Sequence, residues 1–292
     1  VLAGSHLTPG DLEALRDWVE AFGLRPVLLP DIGDSLDGHL TEAEYSALTI
    51  GGTPRSEILT LGESIATLVI GESLYRAADL LQARTGVPVH RFDSLMGLAA
   101  CDRFTHTLSQ LAGKPVPASL ERQRAQLQDA MVDSHFMLGM ARIAVAADPD
   151  LLVMLCDFLT GMGAEVPAAV SPVKTEGLAR LPIASVTIGD LEDLENLARR
   201  QRVQLVMSNS HAVGTAQRLG VPLLRAGFPQ YDWVGGFARA WVGYRGSRQA
   251  LFDLANLLLS QHHDIQPYRS RYWSAERDGH EAVALAEAGM VH

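Results

Sequence analysis

Short apolar runs alternate along this chain with longer segments in which apolar residues return every three or four positions. Leu12, Leu15, Trp18, Val19 and Phe22 recur at helical spacing. Thr8 precedes them as a cap, with Pro9 at the first helical position and Asp11 three residues after the cap, and Gly23 is the stop. Val1-Leu-Ala3 reads as the end of a strand and Arg25-Pro-Val-Leu-Leu-Pro30 as the next strand, so the segment predicts a strand–helix–strand unit. Ala66 to Ile70, a helix from about Leu74 to Arg84, and Val87 to His90 continue the alternation. From Gly97 to about Met137 the spacing stays helical across a Gly113-Lys-Pro-Val-Pro117 break and no strand interrupts it.

Strands return at Arg142 to Ala146, Glu165 to Val170 and Ala184 to Ile188. Helices follow Asp148-Pro149, as far as Gly161, and run from Asp190 to Arg200. Val203 to Met207 is apolar throughout, as expected of a parallel strand covered on both faces. Ser208-Asn-Ser-His211 turns into a short helix ending near Leu219, Val221 to Leu224 is the next strand, and a long helix runs from Gly246 to His262. The fold class is therefore α/β, with two Rossmann-like parallel-sheet domains joined by a helical bridge. The expected divisions are 1–95, a bridge at 96–138, 139–273, and a poorly ordered tail at 274–292.

In an open α/β sheet, ligands sit outside the carboxyl ends of the strands. Two loops rich in special residues fall there, Ser208 to His211 and Arg225-Ala-Gly-Phe-Pro-Gln-Tyr-Asp232. Asn209, Ser210, His211, Arg225, Phe228 and Asp232 are the candidates for a cleft or a partner-facing cluster. An arginine there would grip a carboxylate or phosphate with two parallel hydrogen bonds. The alternative stays open: Ser-Asn-Ser as a helix cap, Gly227-Phe-Pro229 as a rigid turn, and Arg225 paired with Asp232 merely to fix the loop.

Composition narrows the classes. The 292 residues suffice for two cores, and 47% hydrophobic with 20% charged residues is the balance of a globular protein. A formal charge of -10 argues against nucleic acid or an anionic membrane surface as the main partner. No apolar run reaches the ~20 residues of a membrane span, and a reduced, cytoplasmic protein is the natural reading. Two cysteines, Cys101 and Cys156, are too few for a disulfide framework or a four-cysteine cluster. Asp31, Asp34 and Asp37 lack the remaining ligands of a calcium loop and read as turn formers. Gly51-Gly-Thr53 offers backbone N–H groups to an anion, but neither a Walker motif nor G-x-G-x-x-G occurs. The isolated chain is expected to be non-catalytic and to hold no metal or cofactor. It begins without a methionine on what reads as half a strand, and an N-terminal domain is expected to be missing.

Asn209-Ser-His211, then Val221-Pro-Leu-Leu-Arg-Ala-Gly-Phe-Pro-Gln-Tyr-Asp232 and Gly243-Tyr-Arg-Gly246, resemble the nitrogenase component 1 family. So, in the same order as the family, do Pro9-Gly-Asp11, Leu29-Pro-Asp31, Gly51-Gly-Thr53, Gly113-Lys-Pro-Val-Pro117, Glu121-Arg122, Asp129 and Asp133-Ser-His135. The likeness runs to about Tyr272 and is greatest to the scaffold on which the iron-molybdenum cofactor precursor is matured. It implies a heterotetramer with a NifE-type α-like subunit, transient contact with the nitrogenase iron protein and nitrogenase, and iron-sulfur clusters in the full complex. Neither Cys101 nor Cys156 matches a ligand position. Trp233-Val-Gly-Gly-Phe237 departs from the histidine-rich segment of the nitrogenase β subunit, which remains an alternative. A two-domain metal-chelate binding protein and a sugar-nucleotide glycosyltransferase are the readings from other classes.

Overall fold

The computed structural model describes residues 1–40 and 49–260; the expected tail at 274–292 and the end expected for the long helix at His262 lie outside them. In chain order the elements are β1 (Leu2–Ala3), α1 (Pro9–Glu20), α2 (Gly33–Leu36), α3 (Arg55–Leu59), β2 (Thr67–Ile70), α4 (Tyr75–Thr85), β3 (Val89–Phe92), α5 (Leu98–Ala112) and α6 (Ala118–Leu138). There follow β4 (Arg142–Ala146), α7 (Pro149–Gly161), β5 (Glu165–Ser171), β6 (Thr187–Ile188), α8 (Leu191–Gln201), β7 (Leu205–Ser208), α9 (Val213–Leu219), β8 (Leu223–Arg225) and α10 (Gly243–Leu259). Among the described residues no helix is long and apolar enough to cross a membrane.

The strands form two sheets, both parallel, ordered β1-β2-β3 and β6-β5-β4-β7-β8. With β4 counted as first, the second sheet has the order 3-2-1-4-5 of a doubly wound half, and the winding reverses between β4 and β7. Successive side chains of a strand point to opposite faces, so each strand feeds two cores. Ile143, Val145, Leu205 and Met207 enter the main core with α5, α6, α7 and α10. Ala144, Ala146, Ala168, Val170 and Val206 enter a second one with Leu194 and Ala198 of α8 and Ala216 of α9. The first sheet divides likewise: Ala3, Leu68 and Ile70 join the main core, while Leu2 and Val69 pack with Ala78 of α4. The continuous apolar runs at β4 and β7 follow from this cover on both sides.

Caps behave unevenly. Thr8 and Asp11 form a reciprocal capping box on α1, and Asp190 with Asp193 does the same on α8. Asp148 stands at the cap position of α7 but makes no capping bond. Arg25 to Pro30 does not form a strand: only Leu29 bridges to Leu2, with Ala3 N–H donating to Leu29 O and Leu29 N–H to Val1 O, both at 2.9 Å. Pro26 and Pro30 carry no N–H to extend the ladder. For the same reason the strand expected at Val221 begins only at Leu223, past Pro222. The strand expected from Ala184 shortens to Thr187–Ile188 at the sheet edge. Helix α10 starts at Gly243, three residues before Gly246, where Gly243 N–H donates to Leu95 O at 2.9 Å.

Candidate functional site

The carboxyl ends of the second sheet enclose a crevice of about 250 Å³. Ala146 ends β4 and Ala147 and Asp148 follow it, Pro172 follows β5, Gly189 and Asp190 follow β6, Ser208, Asn209 and His211 end or follow β7, and Ala226 to Phe228 follow β8. This is where the reversed winding opens a sheet. A larger hollow, of about 370 Å³, lies at the amino ends of β1 and β2 among Leu2, Val19, Leu68 and Leu108. It faces away from the edge where strands present their carboxyl ends, so we place the candidate site at the crevice.

Of the six candidates, Asn209, His211 and Phe228 line the crevice, and Ser210, Arg225 and Asp232 are bound to one another next to them in the chain. Asn209 works at both ends: its Oδ1 accepts from His211 N–H at 3.1 Å and its Nδ2 donates to Phe228 O at 2.8 Å. Ser210 N–H donates to Pro229 O at 3.0 Å, while its Oγ accepts from Tyr231 N–H at 3.1 Å and donates to Asp232. Arg225 grips Asp232 through Nε, at 3.1 and 3.0 Å, and through a terminal nitrogen at 2.7 Å. That guanidinium lies 4.8 Å over the ring of Trp233. The arginine first, and the Ser210 hydroxyl second, pull the Asp232 carboxyl down to about 2.

Arg225 therefore gives Nε and one terminal nitrogen to Asp232, the loop-fixing pair that the sequence left open. The lining residues carry the carboxylates of Asp148 and Asp190 and the imidazole of His211, and among the described ones there is no lysine or arginine. Such a crevice suits hydrogen-bond donors and cations better than anions. Aromatic stacking stiffens its wall. Phe228 stacks on Phe237 at 5.5 Å, and His211 meets Tyr231 edge-on at 5.6 Å. Sequence reasoning missed Asp148, Tyr231 and Phe237; a polar residue two positions past a buried parallel strand was the signal available for Asp148.

The strap from Ala226 to Val242 does not end at the crevice. It crosses to the first helix, where Gly10 N–H donates to Phe237 O at 3.0 Å and Thr8 Oγ1 donates to Arg239 O at 2.6 Å. A Cβ at Gly10 would lie 2.3 Å from Ala238 O, so only glycine permits this approach. Asp11, wholly buried, accepts from Trp241 N–H at 2.5 Å, Val242 N–H at 3.0 Å and Thr8 N–H at 2.9 Å. Burial raises its pKa, against the pull of those donors. Arg239 lies 3.9 Å over Trp241 and pairs with Asp253 of α10 at 2.7 Å.

The thiols do not fit a cluster site. Cys101 and Cys156 are both buried, and desolvation pushes Cys101 well up and Cys156 to about 12, while metal ligation needs thiolates. Among the described residues no group of three histidine, cysteine or acidic side chains is placed to hold a metal ion. Asp31 accepts from Gly33 N–H at 3.3 Å and pairs with Arg16 at 2.5 Å, and Asp34 pairs with His39 at 3.2 Å, which is turn and surface chemistry. Thr53 Oγ1 donates to Leu28 O at 2.5 Å and accepts from Asp31 N–H at 3.2 Å, tying the Gly51-Gly-Thr53 turn to the chain before Asp31.

Residues 1–259 match the family model described as nitrogenase component 1 type oxidoreductase. The chain is 47% identical over 267 residues to a nitrogenase iron-molybdenum cofactor biosynthesis protein NifN of Klebsiella pneumoniae, covering 91% of this chain and 58% of that one. It is 45% identical over 260 residues to the NifN of Bradyrhizobium diazoefficiens, covering 89% and 55%. It thus spans a little over half the length of these curated relatives. Among solved structures, one titled "Nitrogenase Cp1 at pH 6.5" superposes with a TM-score of 0.83 at 27% identity, over 92% of this chain and 62% of the other. A second, "Nitrogenase Cp1 at pH 5", superposes at 0.63 and 12% identity over 89% and 56%, a likeness of fold.

Proposed function

Since this chain belongs to the nitrogenase component 1 family, we propose that it serves in a NifN-type subunit of the scaffold on which the iron-molybdenum cofactor precursor is matured before transfer to nitrogenase. The observation that carries this reading is the gap in identity. Curated NifN proteins match at 39–47% over about nine-tenths of the chain, against 27% for the nitrogenase structure of similar fold. The working assembly is a heterotetramer with a NifE-type α-like subunit, served transiently by the nitrogenase iron protein. The iron-sulfur precursor is its cargo. Neither thiol of this chain is exposed to such a cargo, since Cys101 and Cys156 are both buried.

In this reading the strap is a scaffold element. It bolts the crevice wall to α1, and Arg225 and Asp232 hold its bend. The experiment is co-expression of the full-length protein with a NifE-type subunit, followed by co-purification and transfer of matured cluster to cluster-free nitrogenase. Stable co-purification and transfer are expected. Arg225→Ala should weaken both while leaving the fold intact, since a near-surface ion pair contributes little to stability. A full-length protein that neither co-purifies with the NifE-type subunit nor supports transfer would overturn the assignment.

A further inference from the structure

Helix α6 carries an apolar stripe that no other described element covers, although the Phe136 ring stacks on its neighbour His135 at 4.5 Å. Val132 and Phe136 are 71% and 84% exposed at a spacing of four, and Met140 continues the row just past the helix at 75%. Its opposite face is spent: Leu127, Ala130, Ser134 and Leu138 are buried. Single exposed apolar residues are ordinary, whereas a contiguous row beside a hollow marks an interaction surface. Two hollows adjoin this row, of about 450 and 540 Å³, and they share Leu98, Met131 and Met162. Together they make a trough walled by α5, α6 and the end of α7.

Met140 supplies a second observation. Its φ is 64°, in the left-handed region where a side chain costs energy and glycine does not. Its N–H donates to Gly163 O at 2.8 Å, so the backbone is held in that state. A flexible thioether is thus kept outward at a position where local structure favours glycine, and methionine is a residue of adaptable apolar contacts.

Charge indicates what fits. Asp129 and Asp133 flank the stripe, both exposed and free of ion pairs among the described residues. Asp102 and Asp157 line the trough with Arg103 and His135, and Asp102 is already paired with Arg124 from outside it, so the acidic residues left over lie on the exposed flank. We propose that this trough docks an amphipathic helix of a partner protein, apolar along one face and flanked by lysine or arginine. Apolar anchors at four-residue spacing filling a groove is a recurring mode of helix recognition. A second copy of this chain is disfavoured as occupant, because its own acidic flank would meet this one.

The test uses the full-length protein with the photo-crosslinking residue p-benzoylphenylalanine in place of Val132, irradiated in the complex it forms. Mass spectrometry should find the crosslink in another polypeptide, on a segment with an apolar helical face and basic flanks. In parallel, Val132→Ser with Phe136→Ser should weaken that complex by roughly tenfold or more, as loss of interface anchors does, with the circular dichroism spectrum unchanged. Asp129→Asn with Asp133→Asn should flatten its dependence on salt. A crosslink to the chain itself, to a second copy or to nothing would overturn the proposal, as would unaltered affinity of the serine pair. The Arg225 experiment reads a different surface, so either inference can fail alone.

Discussion

Asp11 joins two segments 230 residues apart, and its removal is the most demanding check on the architecture. In Asp11→Ala, the N–H groups of Thr8, Trp241 and Val242 lose their only acceptor on this side chain. A buried donor left unpaired costs about 1–3 kcal/mol, so three set an upper bound of about 9 kcal/mol. The carboxylate was itself desolvated, as its raised pKa reflects, and removing it returns part of that cost. We expect a net loss of about 3–6 kcal/mol, close to that of breaking a buried charged contact. Domains hold only about 5–15 kcal/mol in all, so the urea midpoint should fall steeply. Asp11→Asn should cost less, because its amide oxygen still accepts from Trp241 and Val242 while its NH2 faces the Thr8 N–H. Hydrogen exchange at the Trp241 and Val242 amides should speed up in the alanine variant before global unfolding. A loss below about 1 kcal/mol, with those amides still protected, would refute the view that Asp11 anchors the strap.

Three further outcomes follow from the same structure. The Asp232 carboxyl should titrate near 2 by NMR and move up toward 3.8 in Arg225→Ala. Its folded value lies below the unfolded one, so the stability it contributes is present above about pH 4 and is lost as pH falls toward 2. Leu155→Ala, on the wholly buried face of α7, should cost about 2–5 kcal/mol and lower the thermal midpoint clearly. Neither Cys101 nor Cys156 should react with a thiol reagent in the native protein, and both should react in urea; fast native labelling would contradict their burial.

Local rules were enough for much of this molecule. The capping box at Thr8 and Asp11, the cap at Asp190, the break at Gly113 to Pro117 and the doubly covered strands β4 and β7 rest on contacts within a few residues, or on a two-residue alternation. Periodicity encodes those directly. It also placed the candidate loops at the carboxyl ends of strands, where the crevice is found. What spacing could not encode is which distant group each side chain meets. Asp11 reads as a helix cap in sequence, yet its other oxygen holds Trp241 and Val242. Arg225 reads either as an anion fork or as a partner of Asp232, and only the bend of the strap brings the two together. The proline-flanked run at Arg25 reads as a strand, but the backbone beside it had to show that one bridge is all it makes. Which face of α6 stays bare was likewise decided by α10, which lies along the opposite one from the far end of the chain. Local hydrogen bonding and side-chain alternation are properties of neighbouring residues, whereas pairing across hundreds of residues is settled only when the sheets and helices close around a common core.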